Sequence, residues 1–147
     1  EAGVFFDWNP KLNQSVAVIT PATYFTLLPG IATPEQARRM AAQLSNRSSL
    51  LTPYPLPVVS NSAPTYNASL YWRGPVWINI NWITIYGLQK YGLEEEAAEL
   101  RRKTMALIAK TDVLREYYNS QTGEGEGAQN FMWTASLFVA MALQDPA

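Results

Sequence analysis

The sequence predicts an all-α domain built on about four main helices. Three observations carry that prediction. A capped amphipathic segment begins at Thr33, and an apolar run over 76–91, too long for an ordinary strand, closes on Gly92. A charged segment from Glu94 to Lys110 repeats its apolar residues every three or four positions.

Residues 1–33 are mixed, with Pro10, Pro21, Pro29 and Gly30 punctuating short apolar pieces. Thr33 is a helix cap, Pro34 suits the first helical position, and Gln36 completes a capping box. Ala37, Met40, Ala41 and Leu44 then share one face, and Ser45-Asn46 ends the helix. Over 47–74, Pro53, Pro55, Pro57 and Pro64 forbid regular helix and discourage a central strand. So long a loop in a compact domain points to function.

Ile78, Ile80 and Trp82 alternate with Asn79 and Asn81, a strand pattern. Length, Pro75 before the run and Gly92 after it decide for a helix, apolar nearly all round and therefore deeply buried. In the next helix Glu94, Glu95 and Glu96 occupy the first turn, where the helix dipole favours anions, and Lys110 lies near the end. Leu93, Ala97, Leu100, Thr104, Leu107 and Ile108 trace its inner face, while Glu99 and Lys103 pair on the solvent side. Arg115-Glu116-Tyr117-Tyr118 leads into Gly123-Glu124-Gly125-Glu126-Gly127, which reads as flexible. A last apolar helix spans about Gln129 to Leu143. The short links imply antiparallel helix pairs.

Composition removes whole chemistries. The 147 residues include no cysteine and no histidine, so disulfides, thiol nucleophiles, imidazole bases and most transition-metal sites are excluded. Acid–base work falls to carboxylates, tyrosines or lysines. No cofactor or metal is expected, and no EF-hand-like spacing appears. Eleven basic residues against twelve acidic ones argue against a nucleic-acid partner. No apolar run reaches the roughly 20 residues of a bilayer span, and Glu1-Ala2-Gly3 carries no basic start, so no membrane partner and a cytoplasmic location are expected. Asn13, Asn46 and Asn67 open Asn-x-Ser patterns that read as chance.

Two clusters carry possible chemistry. Tyr71, Trp72, Arg73 and Trp77 surround Gly74-Pro75. Flat aromatic faces beside a guanidinium suit sugar rings, although such aromatics also serve as core. Glu116, Glu124 and Glu126 lie among tyrosines and glycines, where a carboxylate can act as general base or acid, or simply form a solvated loop. A phosphate-loop reading of the glycine run fails, because its glutamates repel phosphate and no Lys-Ser/Thr follows.

Tyr71-Trp72-Arg73-Gly74-Pro75-Val76-Trp77, with Asn81 beyond, resembles the YWRGPxW segment of glycoside hydrolase family 63. Glu116-Tyr117-Tyr118, Thr122-Gly123-Glu124-Gly125 and Phe131-x-Trp133-Thr134-Ala135 resemble that family's closing EYY–TGEG–FxWTA segment. Leu27-Leu28-Pro29-Gly30-Ile31-Ala32 fits more loosely. The bacterial branch, which hydrolyses glucosylglycerate or mannosylglycerate, fits best, and Tyr54-Pro55-Leu56-Pro57 supports that choice. Trehalases rank second because their corresponding segment normally lacks Trp-Arg-Gly-Pro.

The resemblance implies an (α/α)6 barrel with the site at one mouth and inverting hydrolysis by two carboxylates. By motif, Glu116 is the general base. Tyr71, Trp72 and Trp77 line the pocket for the cleaved sugar, and Gln129 and Trp133 close its wall. Arg73 binds substrate or braces the loop; Glu124 orients Glu116, shapes the floor, or is itself the base. The family's general acid is an aspartate far upstream of this segment. Asp7, the only aspartate before Tyr71, stands in a Phe6-Asp7-Trp8 context unlike the acid's motif. Residues 1–147 are therefore expected to be the C-terminal part of the barrel, acting on a small carbohydrate but inactive alone. The missing N-terminal part or self-association is expected to complete it. The rival reading is a non-catalytic helical binding or interaction module.

Overall fold

A computed structural model describes residues 3–144. Glu1 and Ala2, part of the expectation about the start of the chain, lie outside the described residues. Four α-helices form the body among the described residues: α1 (Pro34–Gln43), α2 (Ile78–Lys90), α3 (Glu94–Ile108) and α4 (Met132–Leu143). A 3₁₀ helix, Pro21–Leu27, precedes them.

Local chemistry accounts for most helix ends. At α1 the Gln36 amide donates to Thr33 Oγ1 (3.2 Å) and Gln36 Oε1 accepts from the Thr33 amide (2.8 Å), the anticipated reciprocal cap. After α2, Gly92 has φ 69°, a left-handed position that glycine adopts without steric cost. In α3 the buried residues are Ala97, Leu100, Thr104, Leu107 and Ile108, as the spacing predicts. Arg101 Nε donates to the Met141 carbonyl (2.9 Å), satisfying one of the acceptors that the end of α4 leaves open.

The structure corrects the all-α expectation. Two antiparallel hairpins are present: β1 (Asp7–Asn9) with β2 (Gln14–Val16), and β3 (Arg115–Tyr118) with β4 (Gly125–Gln129). The glycine-glutamate run thus closes a turn at Gly123-Glu124 and, from Gly125, forms a returning strand rather than a flexible link. Its glycines lack the β-branched and aromatic side chains that mark strands, so periodicity carried no signal there. Pairing sets Tyr117 opposite Glu126 and Tyr118 opposite Gly125, with an irregularity between Arg115 and Tyr117. The last helix starts at Met132 instead of near Gln129: Gln129 pairs with Arg115, and Asn130 turns the chain at φ 53°.

Two features of α2 also differ from expectation. It begins three residues after Pro75, because Val76 is held extended by two backbone hydrogen bonds with Tyr118 (2.7 and 2.9 Å). It is also not buried all round. Ile78, Asn81, Thr84, Ile85 and Leu88 face the interior, whereas Tyr86 is 49% exposed and stacks on Trp82. Among the described residues, the 3₁₀ helix, α3 and α4 are its helical neighbours, and they leave the Tyr86 side open.

The core joins these elements through Tyr24, Leu27, Met40, Leu56, Ile85, Leu88, Leu107, Tyr118 and Met141. Burying each large apolar side chain contributes roughly 1.5–3 kcal/mol. Inside it, the Asn81 amide donates to the Pro55 carbonyl and to Thr104 Oγ1, both at 2.9 Å, and so ties the proline-rich approach to α2 and α3.

Candidate active site

The two sequence motifs meet at the Val76–Tyr118 bridge. The segment before α2 folds on itself: the Asn67 amide donates to the Arg73 carbonyl (2.8 Å) and the Arg73 amide to the Leu70 carbonyl (2.6 Å). Gly74 packs so closely that an added Cβ would lie 2.6 Å from the Asn67 carbonyl oxygen. This tight turn presents Tyr71 and Trp72 beside the start of β3.

Aromatic rings fill the junction. Trp72 lies flat on Trp77, with ring centroids 4.1 Å apart and planes 7° apart, and Tyr117 also stacks on Trp77 at 5.1 Å and 21°. Tyr71 stands edge-on to Trp72, Trp77 and Tyr117 at 5.7, 5.1 and 5.4 Å. Such edge-to-face contacts match ring quadrupoles and fix ring orientation. Trp133, in the first turn of α4, approaches Trp77 at 6.3 Å and is 51% exposed. Trp77 itself is only 1% exposed and forms the floor of the cluster.

Glu116 lies at the edge of these rings. Its Oε1 accepts from the Tyr71 hydroxyl (3.1 Å) and its Oε2 from the Ala128 amide on β4 (3.0 Å). The hydrogen bond to Glu116 pushes the Tyr71 phenol above its ordinary pKa. Burial, reinforced by the Glu126 and Glu116 carboxylates, raises Tyr117 likewise. Both phenols therefore stay protonated at neutral pH, and that of Tyr71 serves as a donor to Glu116 rather than as a base.

The other singled-out residues sit around this centre. Glu124 is exposed and caps its own turn, its Oε2 accepting from Thr122 Oγ1 at 3.2 Å; no hydrogen bond links it to Glu116 among the described residues. Arg73 and Gln129 are exposed at the rim of the motif loop and the end of β4. The sequence groups Glu126 with Glu116 and Glu124 but gives it no role of its own, and gives Tyr117 none beyond its place in the motif. Glu126 faces Tyr117 across the hairpin, and its Oε2 is buried with no hydrogen-bond partner among the described residues. The signal that would have found them is the strand register, hidden by the glycines.

The sequence profile of the mannosylglycerate hydrolase MGH1-like glycoside hydrolase domain matches residues 1–134. The chain belongs to this family. Among its relatives, a mannosylglycerate hydrolase from Thermus thermophilus is 39% identical over 138 residues, covering 93% of this chain and 32% of the relative.

Solved structures agree with the family assignment. The glycoside hydrolase family 63 mannosylglycerate hydrolase from Thermus thermophilus, in complex with glucose, superimposes with a TM-score of 0.86 at 35% identity, covering 95% of this chain and 35% of that one. The same enzyme in complex with Tris and D-glycerate gives 0.87 at 36% identity, covering 94% and 33%. A neutral trehalase from Saccharomyces cerevisiae shares the fold, with a TM-score of 0.71 at 21% identity over 99% of this chain and 27% of that one. The MGH1-like chain thus spans about a third of the length of the relatives it matches. No helix among its described residues is long and apolar enough to cross a membrane.

Proposed function

We propose that residues 1–147 form the C-terminal part of the (α/α)6 barrel of an inverting α-glycosidase, with Glu116 as its general base. The observation that carries this reading is the Glu116 carboxylate, set at the edge of an aromatic cluster with one donor on each oxygen. Ionised, it takes a proton from water as the oxygen attacks the anomeric carbon from the face opposite the leaving group. A carboxylic acid supplied from outside this segment gives its proton to the glycosidic oxygen. The two groups stand roughly 6.5–9.5 Å apart, so that the water fits between base and sugar.

Tyr71 and Trp72 form the wall of the sugar pocket, where exposed aromatic faces cover C–H groups, and the buried Trp77, which the motif also sets in the lining, backs them from below. Gln129 and Trp133 close the wall, and Arg73 and Glu124 bind or shape the rim. The substrate is an α-mannoside or α-glucoside of glycerate. Support comes from 39% identity to a mannosylglycerate hydrolase, against fold likeness alone to a trehalase. The remainder of the larger enzyme covers the open apolar sides of α2 and α4.

The test is hydrolysis of mannosylglycerate and glucosylglycerate by the whole enzyme that carries this segment. Glu116→Gln is expected to lower kcat by at least about 10³-fold with little change in KM, and the 147-residue chain alone to show no turnover. Undiminished hydrolysis by Glu116→Gln would sink the assignment of the base.

A further inference from the structure

Glu116 receives its two hydrogen bonds from different parts of the fold. The Tyr71 hydroxyl comes from the turn before α2 and holds Oε1; the Ala128 amide comes from β4 and holds Oε2. A glutamate carboxyl rotates broadly about its last bond, so one donor alone leaves its plane undetermined. Two donors on separate oxygens fix that plane, and each oxygen keeps a lone pair for water.

Tyr71 is itself held in an unusual way. Its φ is 30°, in the left-handed region that bulky residues rarely occupy. The Trp77 indole Nε1 donates to the Tyr71 carbonyl at 3.0 Å, bracing this backbone against relaxation. Edge contacts to three aromatic rings set the direction of the phenol. A residue that only lined a pocket would need neither the strained backbone nor a hydroxyl aimed at a carboxylate.

From this geometry we infer that Tyr71 is a positioning residue for Glu116, and that the Trp77 indole is the strut that keeps Tyr71 in place. The inference rests on the reading of Glu116 as base and adds to it. Water remains the nucleophile and Glu116 the proton acceptor; Tyr71 keeps its proton throughout. Tyr117 on β3 is the other titratable group acting on Tyr71, and Tyr117 in turn lies in the field of Arg115 on β3 and Glu126 on β4.

Tyr71→Phe keeps the ring and its contacts while removing the hydroxyl. In the whole enzyme it is expected to lower kcat about tenfold or more with KM within about twofold. Trp77→Phe, which keeps a ring but loses the N–H, shifts kcat in the same direction by less. In a Glu116→Gln background, Tyr71→Phe adds no further loss, because its effect passes through the carboxylate. A readout independent of turnover is the near-ultraviolet phenol titration of the whole enzyme: Glu116→Gln lowers the ionisation pH of Tyr71 and, less, that of Tyr117, and Tyr71→Phe removes the larger part of that difference. An unchanged kcat with a raised KM, an additive loss in the Glu116→Gln background, or a titration difference left undiminished by Tyr71→Phe would overturn the inference. Full activity of Glu116→Gln alone would instead remove the base reading beneath it.

Discussion

At Gly127 the backbone turns at φ 67°, and a Cβ built there would lie 2.6 Å from Glu116 Oε2 and 2.7 Å from Tyr117 Cε1. Two penalties coincide at this residue: a left-handed backbone and an occupied space. Gly127→Ala is expected to destabilise the chain by about 1–2 kcal/mol in urea unfolding and to displace the carboxylate, so that activity falls more than stability alone explains. Equal stability of the two proteins would remove the argument. The same residues show what a sequence can and cannot convey. That Tyr71, Trp72 and Glu116 gather in one place was legible because their side-chain chemistry and order are distinctive. Glu124 and Glu126 were not separable, since both are glutamates between glycines. Only the pairing of Glu126 with Tyr117 shows that one carboxylate points inward while the other caps a solvent-facing turn.

Helices α1 and α3 were legible because their ends and faces are written in local chemistry, namely the Thr33–Gln36 box and the three glutamates opening α3. The β3–β4 hairpin was hidden because its second strand is built on glycines that specify no strand, and because the other pairing of β3, at Val76, is far away in sequence. On α3, Glu99 accepts two hydrogen bonds from Arg102 (2.8 and 2.9 Å) and pairs with Lys103 at 3.0 Å. The Arg102 hydrogen bonds, then that of Lys103, draw the Glu99 carboxyl down from 4.5 to about 2. A depressed carboxyl stabilises the fold above its unfolded pKa and loses that contribution as pH falls from 4.5 towards 2. Its side chain is 48% exposed, so solvent screening keeps the contribution to about 0.2–1 kcal/mol. Glu99→Gln should therefore be less stable than the parent at neutral pH, with the gap closing at the acid end and in high salt. A gap that persists at low pH would contradict this account.

Taken whole, the described chain leaves large apolar side chains uncovered, several of them on α2 and α4. Tyr86 on α2 and Met132, Trp133, Val139 and Leu143 on α4 are all exposed. The isolated 147-residue chain is expected to sediment as a species larger than its 16.4 kDa monomer, and Val139→Asp to shift it towards the monomer. A monodisperse monomer at high concentration would argue that these sides need no cover.

The Val76–Tyr118 bridge has a consequence for how such a chain can change over time. The excursion through α2 and α3 leaves the site at Val76 and returns to it at Tyr118, so the two halves of the pocket are joined at the neck of a closed loop. Lengthening that loop at its far end, near Gly92, adds only a slowly growing entropic cost and leaves the neck untouched. Ancestral insertions and deletions at that tip could accumulate without any record at the junction, whereas a single residue gained or lost beside the neck would reverse which side chains face the aromatic cluster.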